Sequence, residues 1–162
     1  MTGRQQIKRR IAALVQQMPW LMKLVVRLMR WTQAHFTAGV VGVVLNERGE
    51  VLVVKHVLHP DYPWGLPGGW LGHRETPIEA LRRELHEELS MEVAVTMPLL
   101  IDQGVYPRHL DIAYLCQALT DVQGLSIELL EYRWVGMDDL PPMTRFHAEA
   151  VGALRTQHDR RS

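Results

Sequence analysis

The chain has 162 residues, 47% apolar and 22% charged, with 18 basic side chains balanced by 18 acidic ones. These values are ordinary for one globular domain with a sizeable core, and low-complexity tracts and internal repeats are absent. The single cysteine, Cys116, excludes an internal disulfide framework and fits a reducing compartment; within the alternating run HLDIAYLCQAL it reads as a buried structural thiol.

The zero net charge hides an asymmetry, because seven of the basic residues and none of the acids precede Glu47. Ile7, Ile11, Leu14, Val15 and Met18 recur at helical spacing, and Pro19 then punctuates. A second helical pattern runs through Leu21, Leu24, Val25 and Leu28, with Lys23, Arg27 and Arg30 as a narrow polar stripe. The run WLMKLVVRLM is broken by Lys23 and Arg27 and falls short of the roughly 20 apolar residues of a membrane span. No small-residue cleavage site follows it, so a cytoplasmic protein is expected. A helix this apolar needs covering, by its own domain or by a second copy in a homodimer. An anionic membrane surface or RNA is the alternative partner, and no DNA contact is expected.

From Thr37 the pattern changes to strands. GVVGVVLNERGEVLVVKHVL holds two β-branched runs around Asn46-Glu47-Arg48-Gly49, a hairpin signal. A loop rich in Pro and Gly follows, HPDYPWGLPGG. Thr76, Pro77 and Glu79 then supply the N-cap, first-turn proline and capping-box acid of a helix. Strand-like stretches MEVAVTMPLL, IDQGVY, HLDIAYLCQAL and EYRWVGM come next, and RFHAEAVGALRTQ reads as a final amphipathic helix. Successive strands without intervening helices predict a mixed sheet flanked by helices rather than a doubly wound fold. Residues 1–35 form a basic helical extension in this reading, and residues 36–162 the main domain.

Glu84, Glu87 and Glu88 sit at helical offsets that place three carboxylates within about one turn. Like charges so spaced destabilise a helix by roughly 0.2–0.5 kcal/mol per pair unless something neutralises them. Local pairing with Arg82 and Arg83 on a solvated face is one answer, and a divalent cation that prefers oxygen ligands is the other. The loop before the helix favours the second. Gly65, Gly68 and Gly69 around Pro67 let the backbone turn tightly and present its own polar groups to a metal or phosphate.

Gly69, five residues, Glu75, seven residues, and then Arg83-Glu84-Leu85-His86-Glu87-Glu88-Leu89-Ser90-Met91 resembles the signature box of the Nudix (MutT-like) hydrolase family. Every fixed position matches except the box glycine, which is Ser90 here. WGLPGG before the box and EYRWVGMDDLP after it extend the resemblance to about residues 37 to 155. The resemblance implies an α/β/α sandwich around a mixed sheet and hydrolysis of a nucleoside diphosphate linked to a further group. Glu87 and Glu88 would be the main Mg²⁺ ligands, with Mn²⁺ a possible substitute and Glu84 a further ligand or the general base. Arg83 would orient Glu84, Glu75 would hold Arg83, and the carbonyl of Gly68 or Gly69 would complete the metal shell.

The departure at Ser90 costs on the order of 1 kcal/mol if the family's left-handed helix stop is retained. It removes no carboxylate. The linked group is less legible. Tyr106 and Pro107 fall together where the family carries a substrate-class marker, so the marker points two ways. Trp64 and Tyr62 could stack a base, packing being the other reading, and Gly68 and Tyr106 are further candidate substrate contacts. Glu128 and Glu131 read as solvated acids, with an extra ligand or base as the alternative. A nucleotide-derived small molecule is the expected substrate: a nucleotide sugar, ADP-ribose or a nucleoside triphosphate. The alternative is a catalytically silent nucleotide sensor of the same fold.

Overall fold

A computed structural model describes Gln5 and residues 19–58, 61–104 and 106–159. The helical pattern from Ile7 to Met18 lies outside these residues. The chain divides between His35 and Phe36 into two compact units. In the first, helix α1 spans Pro19–Thr32, and Thr32 Oγ1 and the Gln33 N–H close its end by donating to the Met29 carbonyl at 2.9 and 3.0 Å. Among the described residues no helix is long and apolar enough to cross a membrane.

The second unit is built on a seven-stranded sheet. Its strands are β1 (Thr37–Leu45), β2 (Val51–His56), β3 (Trp64–Gly65), β4 (Gly68–Trp70), β5 (Val93–Gln103), β6 (His109–Ala118) and β7 (Leu129–Val135). Helix α2 (Pro77–Leu89) follows β4, and α3 (Arg145–Asp159) closes the chain. The order runs β3-β2-β1-β6-β5, with β1 and β6 parallel and the other pairs antiparallel, so the sheet is mixed as expected.

Alternation along the strands produces two cores. Val40, Val44, Leu52 and Val54 pack with Leu81, Leu85 and Leu89 of α2. Val43, Val51, Val53 and Leu66 pack with Ala150, Val151 and Leu154 of α3. Strand β2 is buried on both faces, which explains its unbroken Val-Leu-Val-Val run. Cys116 belongs to the α2 core, and burial pushes its thiol up to about 12, consistent with a structural role.

The hairpin at Asn46–Gly49 forms, with Asn46 Oδ1 accepting from the Arg48 and Glu50 N–H groups at 2.9 and 3.0 Å. It does not continue into a long β1–β2 ladder, whose register contains only Leu45 opposite Val51. Toward its start β1 pairs instead with β4, setting Val41, Val40 and Gly39 opposite Gly68, Gly69 and Trp70. The sheet therefore splits, and the glycine-rich loop enters the split. The stretches read as separate strands, MEVAVTMPLL and IDQGVY, merge into β5, which shifts register on β6 at two places, one of them beside Pro98. A bulge beside Pro98 absorbs the missing N–H, so the proline does not end the strand.

Helix α2 starts as its sequence predicts. Thr76 Oγ1 accepts from the Glu79 N–H, and the Glu79 carboxylate accepts from the Thr76 N–H at 2.7 Å. It ends at Ser90 with φ 49° and ψ 41°, so the left-handed stop is kept without a glycine. The Ser90 and Met91 N–H groups donate back to the His86 and Leu85 carbonyls, while loop N–H groups of Gln123, Gly124 and Ser126 cap the last carbonyls of the helix. Ser90→Gly is therefore expected to stabilise the protein by about 1 kcal/mol, raising Tm in a thermal melt by roughly 2–4 °C for a chain this size. An unchanged or lowered Tm would mean that the serine is not strained.

Candidate active site

Leu81, Leu85 and Leu89 are fully buried and fix how α2 rolls against the sheet. Fully burying each contributes about 1.5–3 kcal/mol. That roll turns Glu84 and Glu88, one helical turn apart, toward the Gly68–Gly69 turn, and leaves Glu87 largely exposed. Glu84 lies so close to Gly69 that a Cβ there would meet its Oε1 at 2.5 Å. At Gly68 a Cβ would meet the Val40 carbonyl oxygen at 2.1 Å, and φ is +149°. Gly68 is thus required by the β1 backbone, whereas a side chain at Gly69 would displace the Glu84 carboxylate.

Arg83 ties the cluster together. Its Nε and Nη2 bind both oxygens of Glu75 at 3.2 and 2.9 Å, and Nη1 reaches Glu84 at 2.9 Å and Glu87 at 3.2 Å. Nη2 also donates to the Trp70 carbonyl at 3.2 Å, joining helix to loop. This fork is the geometry at which arginine exceeds lysine. Hydrogen bonds from Arg83 and the Gly72 N–H hold the Glu75 carboxyl below its usual range, and the Arg83 guanidinium is raised by Glu75 and Glu84.

Glu88 has no such cation. It is 7% exposed, and its one described hydrogen bond is from the Gly68 N–H at 3.4 Å. Burial pushes its carboxyl up to about 7 against that bond, with repulsion from Glu84, Glu128 and Glu87 adding to the rise. Glu128 is exposed, as expected of a solvated acid, and its charge nevertheless bears on Glu88. It arrives on the loop whose Ser126 N–H caps the Glu88 carbonyl at 2.9 Å, a contact no sequence spacing reveals. Glu131 instead pairs with Arg133 at 2.7 Å.

The donors here are hard carboxylate oxygens with backbone carbonyls beside them, a set suited to a divalent cation. As they stand, no three acidic, histidine or cysteine side chains among the described residues converge to hold a metal. Glu84 and Glu87 are drawn to Arg83 while Glu88 turns to Gly68. The buried, repelled Glu88 is the feature a cation would satisfy, so the residues fit one once Arg83 releases an acid.

Trp64 and Tyr106 do not join the acids. Trp64 packs on the α3 face, with the Arg133 guanidinium 4.6 Å and the Lys55 ammonium 5.9 Å from its ring centroid. A base stacking on that ring would compete with both cations. Tyr62 is exposed. Tyr106 stands edge-on to His109 at 6.3 Å, and Trp70, passed over in the sequence, lies 4.6 Å from the same imidazole.

A profile of the NUDIX domain matches residues 35–154. A putative 8-oxo-dGTP diphosphatase from Bacillus subtilis is 33% identical over 112 residues, covering 65% of this chain and 70% of that one. An RNA pyrophosphohydrolase from a Psychrobacter species is 35% identical over 77 residues, covering 48% of this chain but only 35% of that relative's length. The crystal structure of a MutT NUDIX hydrolase from Burkholderia pseudomallei superposes with a TM-score of 0.67 over 75% of this chain and 99% of that one, at 22% identity. That likeness concerns the fold. Fold and box together define a Nudix-type α/β/α domain, and the chain belongs to the Nudix family.

An acid whose folded carboxyl titrates near 7 rather than 4.5 lowers stability as pH rises through that interval. The effect is complete above the folded value and absent below the unfolded one. Glu88→Gln should therefore raise the metal-free Tm at pH 8, by up to about 3 kcal/mol of stability, and leave it nearly unchanged at pH 4. Mg²⁺ should raise the wild-type Tm more than that of the variant. A loss of stability at pH 8 would show that the charged Glu88 is satisfied as it stands.

Proposed function

We propose that this protein is a divalent-metal-dependent pyrophosphohydrolase acting on a nucleoside diphosphate linked to another group. The observation that carries the reading is the buried Glu88, with the charges of Glu84, Glu128 and Glu87 acting on it, beside a turn that requires glycine at Gly68. Repulsion of this kind destabilises the fold unless a cation joins the acids beside Glu88. The names of the Bacillus and Psychrobacter relatives, both of them enzymes of pyrophosphate bonds, support the bond type.

Glu87 and Glu88, with the Gly68 or Gly69 carbonyl, are the residues that would hold Mg²⁺ or Mn²⁺, and Glu84 is a further ligand or the base. Bound there, the ion would neutralise charge on the phosphate oxygens and lower the pKa of the attacking water. In the base role Glu84, held by Arg83 at 2.9 Å, would accept a proton from the attacking water. Glu75 holds Arg83 from the other side, so the guanidinium keeps its place when Glu87 leaves it. ADP-ribose, nucleotide sugars and nucleoside triphosphates share the required pyrophosphate.

A second reading is a nucleotide sensor without turnover, favoured by the grip of Arg83 on Glu84 and Glu87. The two separate in one assay. Hydrolysis of ADP-ribose, nucleotide sugars, dNTPs, dinucleoside polyphosphates, CDP-alcohols and 5′-triphosphorylated RNA is measured with and without Mg²⁺. Turnover should require the metal, and Glu87→Gln or Glu88→Gln should lower it by about 10²-fold or more while the protein stays folded. Full activity in both variants would overturn the ligand assignment, and binding without hydrolysis across the panel would favour the sensor.

Helix α1 we read as a homodimer contact, with an anionic lipid surface or RNA as the other partner classes. Its Leu24 and Leu28 are exposed, and its Lys23, Arg27 and Arg30 share one stripe. Light scattering should give twice the chain mass for the wild type and a single mass for Leu24→Glu/Leu28→Glu. A wild-type monomer would dismiss the dimer.

A further inference from the structure

The α3 face of the sheet carries a second cluster that the acids do not use. It follows from register: β1 sets Gly39 between Trp70 of β4 and Asp111 of β6, and Thr37 beside His109. Directly opposed residues share a face, so the missing side chain at Gly39 leaves a gap between Trp70 and Asp111. His109 fills it. A Cβ on Gly39 would meet His109 Nε2 at 3.1 Å, and one on Gly104 would meet its Cδ2 at 2.6 Å.

The imidazole is 5% exposed and held at both nitrogens, by Thr37 Oγ1 at 2.7 Å and by Asp111 Oδ1 at 3.1 Å. Against this fixed ring lie two large aromatic side chains. Trp70 is tilted by 52° at 4.6 Å, and Tyr106 stands at 83° at 6.3 Å. Both remain mostly open to solvent, at 57% and 64% exposure. A core would have covered such rings, and a plain surface would not have braced them on a buried, doubly hydrogen-bonded histidine.

Position decides what they serve. Trp70 follows Gly69, which lies against the Glu84 carboxylate, and the Trp70 carbonyl holds Arg83 at 3.2 Å. The ring therefore stands one residue from the acid cluster, on the other face of the same short strand. We infer that Trp70 and Tyr106, braced by His109, form the stacking platform for the nucleobase of the substrate, so that the enzyme selects a nucleoside diphosphate moiety rather than a bare pyrophosphate. A flat aromatic base offers π-faces to both rings whatever its identity, and His109 and Asp111, engaged with each other, brace the rings rather than read a base edge. His109 is a positioning residue here. The inference rests on the hydrolase reading for the chemistry next door, and on its own geometry for the base.

The test measures binding by calorimetry in Mg²⁺, using ADP, GDP, CDP, UDP and inorganic pyrophosphate on the full chain. The wild type should bind all four nucleotides more tightly than pyrophosphate and within a few-fold of one another. Trp70→Ala and Tyr106→Ala should each weaken nucleotides by about tenfold and leave pyrophosphate unchanged, while Trp70→Phe restores most of the affinity. Circular dichroism and Tm screen out variants that fail to fold, Tyr106→Ala being the safer because the side chain is exposed in a loop. Equal weakening of nucleotides and pyrophosphate would make the rings mere scaffold and overturn the platform, as would wild-type nucleotide affinity no better than that for pyrophosphate. Nucleotide binding that depends on Trp70 without any hydrolysis would keep the platform and defeat the hydrolase reading. Hydrolysis of nucleotide substrates with unchanged KM in both alanine variants would do the reverse.

Discussion

The site depends on the close approach of helix α2 to the Gly68–Gly69 turn. Glu84 occupies the space where a side chain on Gly69 would stand, and β1 occupies the corresponding space at Gly68. The first leaves room for the acid, and the second fixes the loop against the sheet. Everything else in the acid cluster follows from that approach: Glu88 is buried because the same roll of α2 that sinks Leu85 and Leu89 carries it inward. Arg83 then sits at the rim, where one guanidinium can reach Glu75, Glu84, Glu87 and the Trp70 carbonyl at once.

That arrangement sets stability against readiness for a ligand. Three carboxylates find a partner in Arg83, and one does not. A buried acid raised to about 7 is an unfavourable component of the fold at neutral pH. Proteins place such strain at functional sites, where a ligand relieves it. The same strand β4 then presents two different environments on its two faces, charge on the α2 side at Gly69 and aromatic surface on the α3 side at Trp70. Three residues therefore join a cluster of carboxylates to a pair of exposed aromatic rings.

The sequence made much of this legible, and the reasons are local. The capping box at Thr76 and Glu79 is a short-range pattern, and it formed as read. The offsets among Glu84, Glu87 and Glu88 are properties of any helix, so their crowding could be stated before the fold was known. Ser90 kept the left-handed stop because Met91 anchors the turn in the core and loop N–H groups meet the helix's last carbonyls. The merging of MEVAVTMPLL and IDQGVY into β5 was not legible, since only pairing with β6 shows one ladder continuing from Leu100 to Ile101.

What the sequence by itself determined is whatever depends on spacing along one element: the α2 boundaries, its acidic face and the structural character of Cys116. Tertiary structure decided which residues meet across the sheet. The split of β1 between β2 and β4 brings Trp70 beside Gly39, and parallel pairing with β6 brings Asp111 and His109 there from about seventy positions away. It also delivers Glu128 to Glu88, and gives Trp64 to Arg133 rather than to the acids. Such meetings are fixed by strand register, and a register is a relation between distant segments that no single segment encodes.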